Sequence, residues 1–466
     1  MIRQGRTQPR IAIIGGGVSG LTSAFRLRQR FGDDMHLELF DAADRPGGLL
    51  CTKPVGGVAM DVGAEAFIVR RPEALNLVTE LGLADHIVAP GPMRPAIWTG
   101  GAQDGRLHPL PTPALMGIPV GPEPMTGLAA DADLERMATE PLRPFEWTVG
   151  DDPAVGHLVG ERFGRSVVER GVNPMLGGVY SAVADQLGLR EAIPALAKAL
   201  DEGAPSLTAA VEAVLAAGRG SAGPVFGALR GGYRELVTAL TEAVGNPIQQ
   251  GISIAGIHAT PTGYVLSGAP TDIEYDGVVV AVPIWTAARL LREISPQVAG
   301  AFGEVEAAGS AVVAVAVPAE TALPEHSGVL VATDSPLRIK AITFSSQKWP
   351  HLRSGPVRTL RMSFGRLGAP VTDTDDQLVA AAIADLATVC AAASVPAPTI
   401  IDAVVQRWPE GLPHYGPGHL KMISSTMPQL PSGIAVAGSG YAGVGVPACI
   451  GTATSAVGKL TADLQT

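Results

Sequence analysis

Three glycines near the N-terminus have the spacing of a phosphate-binding loop. Gly15, Gly17 and Gly20 form the pattern G-x-G-x-x-G directly after the apolar run 11–14, and a helical pattern of apolar residues follows. The first glycine of this pattern allows a tight turn, the second lets the backbone approach a pyrophosphate, and the third packs helix against strand. The helix N-terminus then faces the phosphates. The segment predicts a site for a dinucleotide.

The residues after this loop indicate which dinucleotide is bound. A second strand pattern ends in Asp41, 21 residues after Gly20, where a carboxylate can accept hydrogen bonds from ribose hydroxyls. Residues 45–48 then read Arg-Pro-Gly-Gly. This R-x-G-G sequence resembles the extension of flavoproteins of the glutathione-reductase-2 type, which NAD-only dehydrogenases lack. The resemblance implies FAD, and the alternative is a Gly-Gly turn after an edge strand.

Composition limits the classes of function. The chain has 466 residues, enough for two or three domains, and 46% hydrophobic residues, enough for a large core. Its net charge of −10 disfavours nucleic acid as a partner, because phosphate backbones are bound by basic surfaces. Cys51, Cys390 and Cys449 favour a reducing compartment over a disulfide framework. The nine histidines show no metal-ligand spacing, so no metal site is expected.

Two segments bear on membranes and export. Residues 422–458 carry no charge, but three prolines and seven glycines interrupt them, so we expect no transmembrane helix. Residues 1–9 are polar and lack the apolar centre of a secretion signal. The sequence predicts a cytoplasmic protein without stable membrane insertion.

Periodicity along the chain predicts three regions. Apolar runs at 277–282 and 433–438 are typical of buried strands, and residues 128–217 are mostly helical. Residues 90–126 contain nine prolines, which predict a surface excursion or a wall of a binding cavity there rather than sheet strands. We expect a cofactor domain of three pieces, 1–88, 222–288 and 420–466. The other two domains are a substrate domain from 89–112, 201–221 and 289–419, and a helical domain from 113–200.

The C-terminal segment carries the more specific signal. Residues 437–450, AGSGYAGVGVPACI, resemble the final FAD motif G-x-x-Y-x-G-V-x-x-x-x-C-I of the protoporphyrinogen/coproporphyrinogen oxidase family. Further segments resemble the same family in the expected order: HPLP at 108–111 with MGIP at 116–119, KWPH at 348–351, and RWPEGLPHYGPGH at 407–419. Together they span nearly the whole chain and are most similar to the soluble bacterial enzymes of haem synthesis.

This resemblance implies a fold and a set of cofactor contacts. The fold class is α/β plus α: a Rossmann-like FAD-binding domain related to p-hydroxybenzoate hydroxylase, a mixed α+β substrate domain and a helical insertion. The residues expected at the FAD are Gly15, Gly16, Gly17, Val18, Ser19, Gly20, Asp41, Ala42, Arg45, Gly48, Leu49, Gly63, Ala64, Glu65, Ala66, Ile248, Ser439, Val444, Gly445 and Val446.

Three positions depart from the family pattern. The family's Gly-Pro turn near the flavin is Gly63-Ala64 here, and its Ile-Pro-Asp-Cys sequence is Val-Pro-Ala-Cys at 446–449. Glu65 stands where some plant and animal relatives carry an arginine thought to hold a substrate propionate. A carboxylate cannot take that role, and the loss of the aspartate removes a polar contact near the flavin.

The resemblance also implies an activity. Family members remove six electrons and six protons from a porphyrinogen, with FAD as hydride acceptor and O₂ as final acceptor, so no catalytic side chain is assigned. We expect coproporphyrinogen III as substrate, because Glu65 replaces the arginine and the composition resembles actinobacterial proteins whose haem route passes through coproporphyrin. The product would pass to the next enzyme of the haem pathway.

Two arginines are candidates for the propionates. Arg70 and Arg71 follow the predicted flavin turn, and an arginine fork matches a carboxylate in bidentate fashion. The alternative is a solvated pair at the start of a helix. His414 and His419 are interpreted as structural residues, and Cys449 as a packing residue rather than a flavin attachment site.

Other functions stay open at this point. Protoporphyrinogen IX shares the macrocycle of coproporphyrinogen and is the first alternative substrate. An amine oxidase or a carotenoid desaturase would use the same scaffold, although amine oxidases need an aromatic cage and this motif offers only Tyr441. A binding protein resembling GDI, without redox activity, is disfavoured by the intact flavin motifs.

Overall fold

The structure is a computed structural model that describes residues 8–218, 223–245 and 248–465. Residues 1–7, on which the expectation of no secretion signal partly rests, lie outside the described residues. The same holds for the predicted domain boundary between residues 221 and 222.

Runs of strands and runs of helices follow one another along the chain. The strands are β1 (Arg10–Ile14), β2 (His36–Asp41), β3 (Thr52–Val55), β4 (Val58–Asp61), β5 (Phe67–Ile68), β6 (Ile87–Val88), β7 (Ala96–Thr99), β8 (Arg106–Pro109), β9 (Ala114–Leu115), β10 (Ile118–Pro119), β11 (Phe226–Leu229), β12 (Ile248–Gln250), β13 (Gly256–Thr260), β14 (Gly263–Ser267), β15 (Glu274–Tyr275), β16 (Gly277–Val280), β17 (Ala307–Pro318), β18 (Gly328–Val331), β19 (Ala341–Thr343), β20 (Val357–Phe364), β21 (Asp402–Pro413) and β22 (Ile434–Val436).

The α-helices are α1 (Val18–Phe31), α2 (Pro72–Glu80), α3 (Asp131–Thr139), α4 (Val155–Phe163), α5 (Arg165–Val167), α6 (Asn173–Tyr180), α7 (Leu189–Ala192), α8 (Pro194–Asp201), α9 (Leu207–Ala217), α10 (Arg234–Val244), α11 (Ile284–Leu291), α12 (Pro296–Gly303), α13 (Ser345–Lys348), α14 (Asp375–Ala392), α15 (His419–Thr426), α16 (Ser439–Ala442) and α17 (Val446–Gln465). A π-helical turn, Val168–Val172, joins α5 to α6.

A parallel sheet carries the glycine loop. Its strand order is β12-β2-β1-β16-β22, and every neighbouring pair is parallel. The strands are apolar on both faces because helices α1, α2, α10 and α17 cover one face while α11, α12 and the β13–β14 hairpin cover the other. The sheet is therefore the Rossmann-like element that the sequence predicts.

The second sheet has seven strands and, unlike the first, is not all-parallel. Its order is β21-β17-β20-β19-β18-β7-β8, antiparallel except for the β18–β7 pair. One face packs on α14, where Leu360 and Met362 of β20 meet Leu378 and Leu386. This mixed sheet and the helices together agree with the predicted fold class.

The prediction of no sheet strands between residues 90 and 126 was wrong. Strands β7 and β8 belong to the seven-stranded sheet, and Trp98 of β7 is buried in its core. The prolines are tolerated because they stand in loops or at strand ends: Pro109 is the last residue of β8, an edge strand. The prediction therefore gave the number of prolines more weight than the short strand pattern at Ala96–Thr99.

The helical region predicted between residues 128 and 217 is confirmed. Helices α3 to α9 bury a common core that includes Phe163, Val172 and Leu196. Helix α9 belongs to this core through Leu207, although its residues were predicted to lie in the substrate domain. Throughout the described residues, no helix combines the length and apolar character needed to cross a membrane.

Candidate functional site

The glycine loop leaves room and donors for a phosphate. Helix α1 has Gly17 as its N-cap, no capping side chain and no acidic residue in its first turn. The N–H groups of this turn have no partner within the helix, and the helix dipole favours an anion in front of them. A Cβ atom added to Gly20 would lie 1.8 Å from the carbonyl oxygen of Gly15. The loop therefore depends on glycine and fits a pyrophosphate.

Asp41 lies at the end of β2 beside this loop. Its Oδ2 accepts a hydrogen bond from the Gly16 N–H at 2.7 Å, and its Oδ1 accepts one from the Ala43 N–H at 2.9 Å. A carboxylate oxygen accepts more than one hydrogen bond, so lone pairs remain for a ribose diol. Ala42 beside it is exposed. The predicted ribose acid thus also fixes the loop backbone.

Arg45 and the Gly-Gly turn form a brace around the loop. The Arg45 guanidinium donates to the carbonyl oxygens of Gly48 at 2.7 Å and Leu50 at 3.1 Å. Gly48 has a positive φ of 57° and lies so close to Gly17 that its Cβ would meet the Gly17 Cα at 3.1 Å. The guanidinium of Arg45 therefore holds the turn. A ligand at this turn would contact its backbone rather than the Arg45 side chain. The next side chain, Leu49, is 42% exposed.

The C-terminal loop is clamped by side chains that sequence reasoning left out of the site. The Tyr415 hydroxyl donates to the Ser439 carbonyl oxygen at 2.6 Å and accepts from the Gly443 N–H at 2.7 Å. The His419 ring nitrogen Nε2 lies 2.8 Å from the Gly440 carbonyl oxygen. Burial raises the pKa of Tyr415 and lowers that of His419, so both stay neutral at pH 7.

This clamp shapes an exposed stretch of backbone at the start of α17. Val444 and Gly445 are exposed or half-exposed, while Val446 is buried as the first residue of α17. The Ser19 hydroxyl of α1 donates to the Cys449 carbonyl oxygen at 3.3 Å and joins the N-termini of α1 and α17. The hydroxyl proton of Ser19 is therefore engaged within the protein. The two predicted cofactor segments are brought together here.

Glu65 occupies a cluster that holds residues 63–66 in place. Its carboxylate accepts hydrogen bonds from the Trp349 indole N–H at 2.7 Å and the Lys348 ammonium at 3.0 Å. Burial raises the pKa of Glu65, but the charges of Lys348 and Arg361 and the two hydrogen bonds outweigh it and lower the pKa to about 2. The carboxylate is thus ionised and paired at pH 7.

The seven-stranded sheet supplies the rest of this support. Arg361 of β20 donates to the carbonyl oxygens of Asp61 at 3.0 Å and Gly63 at 2.9 Å, and the Trp408 indole donates to the Val62 carbonyl oxygen at 3.0 Å. Burial raises the pKa of Asp61 to about 6, against hydrogen bonds from Thr52 and the Tyr233 N–H. The KWPH segment was the one signal in the sequence for this cluster; nothing marked Arg361.

One face of this sheet is only half-buried next to residues 63–66. Arg361 and Ser363 alternate with buried residues along β20, and their partners on β19, Thr343 and Ala341, are half-buried too. Directly opposed antiparallel residues share a face. We call these four residues the half-exposed face. Because Arg361 reaches Gly63, this face lies beside the predicted flavin turn.

The remaining predicted residues are Ile248 in the parallel sheet and the two arginines before α2. Ile248 is in β12, an edge strand paired on one side with β2, so its backbone has an open side within the described sheet. The Arg71 guanidinium contacts the Glu73 carboxylate of its own helix at 2.8 Å, and Arg70 reaches the Gly223 carbonyl oxygen at 3.5 Å. Both arginines are at the start of α2, as expected, and Glu73 in turn lies beside Gly451 of α17.

The fold and these loops define a flavoprotein with a second, mixed sheet of seven strands. The profile of the flavin containing amine oxidoreductase family matches residues 18–461, and the chain belongs to this family. Its cofactor is FAD, and it is an oxidoreductase.

Relatives narrow the class further. The chain is 47% identical over 448 residues to the coproporphyrinogen III oxidase of Mycobacterium tuberculosis, covering 96% of both chains. It is 28% identical to the coproporphyrinogen III oxidase of Bacillus subtilis, covering 96% of this chain and 97% of that one. Against the chloroplastic protoporphyrinogen oxidase 1 of Arabidopsis thaliana the identity is 24%, with 94% and 85% covered.

Solved structures share the fold. A putative protoporphyrinogen oxidase from Exiguobacterium sp. superposes with a TM-score of 0.85 at 24% identity, covering 99% of this chain and all of that one. A cyclohexylamine oxidase from Brevibacterium oxydans gives 0.69 at 15% identity, with 98% and 99% covered. The predicted fold class and family are therefore confirmed.

Proposed function

We propose that the chain oxidises coproporphyrinogen III to coproporphyrin III. The substrate loses six electrons and six protons, and three O₂ are reduced to three H₂O₂. The observation that carries the proposal is the 47% identity over 96% of both chains to enzymes named coproporphyrinogen III oxidase. The intact glycine loop and C-terminal loop support it, because both are needed for redox work rather than for a binding role alone.

For the cofactor contacts we propose the set of residues that the sequence predicts. Backbone N–H groups of residues 15–20 would hold the pyrophosphate, Asp41 with Ala42 would hold the ribose, and Ile248 would hold the adenine. Arg45 keeps Gly48 and Leu49 in position. Residues 63–66, Ser439 and residues 444–446 would hold the flavin ring. The geometry around Tyr415 and Glu65 supports this assignment, since both clamps hold the segments that would touch the ring.

FAD, when bound, supplies the two-electron chemistry and transfers the electrons to O₂. The chain's own residues then have to bind and orient the substrate and the cofactor and shield them from water. Arg361, Lys348 and Trp349 fix the turn at residues 63–66 from the side of the seven-stranded sheet. Tyr415 fixes the loop at Ser439 from the other side. The macrocycle lies between these clamps, against the half-exposed face.

Propionate binding is proposed for Arg70 and Arg71. An acidic chain repels an anionic substrate overall, so cationic groups must act locally. Arg71 is bound by Glu73 at 2.8 Å, and that contact would have to be shared or exchanged when a propionate arrives. Protoporphyrinogen IX is the second candidate substrate, because a relative named for it matches over 94% of this chain.

We also propose a place of action and a division of the chain. The enzyme acts in the cytoplasm and passes its product to the next enzyme of the haem pathway. The three sequence pieces 1–88, 222–288 and 420–466 form the FAD domain, which is supported by the parallel sheet drawing all its strands from them. Pieces 89–112 and 289–419 form the substrate domain, and the packing of α9 favours adding residues 201–218 to the helical domain 113–200.

The direct test is the stoichiometry of the purified holoenzyme. Coproporphyrinogen III is added under argon, and bleaching of the flavin absorbance shows whether it reduces the enzyme. Air is then admitted, and O₂ uptake is compared with porphyrin fluorescence. We expect bleaching and three O₂ per coproporphyrin III formed. A flavin that stays oxidised with the substrate overturns the proposal.

A further inference from the structure

Two carboxylates of the helical region contact the start of α15. Asp152 precedes α4, and Glu191 belongs to α7. Asp152 Oδ2 accepts a hydrogen bond from the Gly418 N–H at 2.6 Å, and Glu191 Oε1 accepts one from the Leu420 N–H at 3.0 Å. The N–H groups at the start of a helix have no partner within it. The two carboxylates therefore cap α15, although they come from distant segments of the chain.

This pair of carboxylates requires a proton. Both oxygens of Asp152 accept backbone N–H groups, because Oδ1 accepts from Arg190 at 2.8 Å. Glu191 is 7% exposed, and its Oε2 is buried without a partner among the described N–H and O–H donors. Burial, the hydrogen bond to Asp152 and the charge of Asp152 raise the pKa of Glu191 to about 7. A proton on Glu191 Oε2, donated to Asp152, satisfies the unpartnered oxygen and removes the repulsion between two ionised carboxylates.

The charges around the pair leave this proton in place. The Arg190 guanidinium is already neutralised, because it binds both oxygens of the Asp201 carboxylate at 2.8 Å. The other charged or titratable groups of the elements packed around the pair are Asp151, Tyr180, Asp201, His414, Tyr415 and His419. Two of these aromatic side chains, Tyr180 and Tyr415, are neutral at pH 7, since burial raises the pKa of each.

The segment that the pair caps also clamps the C-terminal loop. The Gly188 N–H of the helical region donates to the Tyr415 carbonyl oxygen at 3.0 Å, and the Tyr415 hydroxyl donates to the Ser439 carbonyl oxygen. His419, the first residue of α15, contacts the Gly440 carbonyl oxygen through Nε2. A displacement of the start of α15 therefore moves the side chains that fix the C-terminal loop.

We propose that Asp152 and Glu191 share one proton and are positioning residues for the C-terminal loop, which loosens when this proton is lost to solvent. The inference rests on the proposed placement of Ser439 and residues 444–446 at the flavin ring. With the proton in place, the two carboxyl groups and the N–H groups of α15 form a closed hydrogen-bond network. Without it, two buried negative charges repel each other, and their separation strains the contacts to α15.

The test follows the holoenzyme from about pH 6 to about pH 8.5. The affinity for FAD is measured by the flavin fluorescence that rises on release. Hydrogen exchange, corrected for the intrinsic rate at each pH, reports on the amides of residues 414–425. Because no porphyrinogen is used, a failure of the proposed substrate leaves these measurements unaffected.

Three variants accompany the wild type. Glu191→Gln places an amide where the protonated carboxyl group stands, so its oxygen can accept from Leu420 and its NH₂ group can donate to Asp152. Asp152→Asn removes the like charge beside Glu191. Glu212→Gln makes the same chemical change at an exposed position of α9 and is the control. Thermal unfolding checks that each variant is folded.

We expect the wild-type dissociation constant for FAD to rise by about fivefold or more across this pH range, the size of a typical coupling between two sites. Exchange in residues 414–425 becomes faster over the same interval. Glu191→Gln keeps the low-pH values throughout, Asp152→Asn moves the transition to lower pH, and Glu212→Gln follows the wild type.

Two results would overturn the inference. A transition that persists in Glu191→Gln would belong to another acid such as Asp61, whose pKa is also raised, to about 6. Faster exchange with an unchanged affinity for FAD would show that the pair does not position the C-terminal loop at the flavin. If Glu191→Gln does not fold, an unmoved transition in Asp152→Asn overturns the inference equally.

Discussion

The glycine loop and the half-exposed face of the seven-stranded sheet are built in different ways. The loop at residues 15–20 offers backbone N–H groups, and a Cβ at Gly15, Gly16 or Gly20 would come within 2.4 Å of a neighbouring atom. At the half-exposed face and beside it the charged side chains come from separate elements, Arg361 from β20 and Lys348 from α13. The residues of a backbone site are contiguous in the sequence, whereas the residues of a side-chain site come from distant segments that the fold brings together. The following predictions separate the two.

The largest effect is expected in the backbone site. In Gly20→Ala the new Cβ would lie 1.8 Å from the Gly15 carbonyl oxygen, so the loop must shift away from the phosphates. We expect FAD affinity to fall by more than about a hundredfold, given that close-packed backbone has no room to relax. Flavin absorbance of the purified protein measures this. Gly458→Ala, in open space on α17, is the control, and full flavin content in Gly20→Ala would contradict the assignment.

Removing the Glu65 carboxylate is expected to destabilise the folded protein. Glu65→Gln leaves Lys348 without its carboxylate and lowers the free energy of unfolding by about 3 kcal/mol at pH 7. The folded pKa of about 2 lies below the usual 4.5, so this stabilisation is present above pH 4.5 and is lost as pH falls toward 2. Urea unfolding between pH 7 and pH 3 measures the difference between the two proteins.

The control for that prediction is Glu202→Gln, whose carboxylate is exposed and 3.7 Å from Lys198. Exposed pairs contribute little, so its unfolding free energy is expected to change by less than about 1 kcal/mol. A difference between wild type and Glu65→Gln that stays constant from pH 7 to pH 3 would show that Glu65 does not titrate as described.

These two sites also show which parts of the structure can be predicted from the sequence. The strand–loop–helix at the N-terminus, Asp41 and the C-terminal motif are local patterns, and each lies in the structure where the pattern predicts. The partners of Glu65 could not be derived, because Lys348 and Arg361 meet it only through the register of β19, β20 and the turn at residue 63. Strands β7 and β8 were missed because their short patterns lie among prolines.

Asp41 gives a smaller effect than the glycines because only one side chain is involved. Asp41→Ala removes the acceptor of the Gly16 N–H and the acceptor that we propose for the ribose. We expect FAD binding to weaken by about 1–3 kcal/mol, the contribution of a hydrogen bond to a charged group. Equilibrium titration of the apoprotein with FAD measures it, with exposed Asp34→Ala as control. Equal affinities would mean that the ribose acid lies elsewhere.

The smallest change is expected at the start of α2. Arg71→Ala removes a guanidinium that Glu73 already binds, so part of its charge is neutralised before substrate arrives. We expect kcat/KM for coproporphyrinogen to fall by about tenfold, as for a charge-assisted contact. Arg353→Ala, another exposed arginine, is the control. An unchanged rate in Arg71→Ala would remove this residue from the substrate site and leave the rest of the account intact.

The central claim is that this flavoprotein acts on the tetracarboxylate porphyrinogen. The most direct measurement is the ratio of kcat/KM for coproporphyrinogen III to that for protoporphyrinogen IX, followed by porphyrin fluorescence in air with the unaltered holoenzyme. The account predicts a ratio of at least about ten, which corresponds to one charge-assisted contact more for coproporphyrinogen. A ratio below one, with protoporphyrinogen preferred, would contradict it.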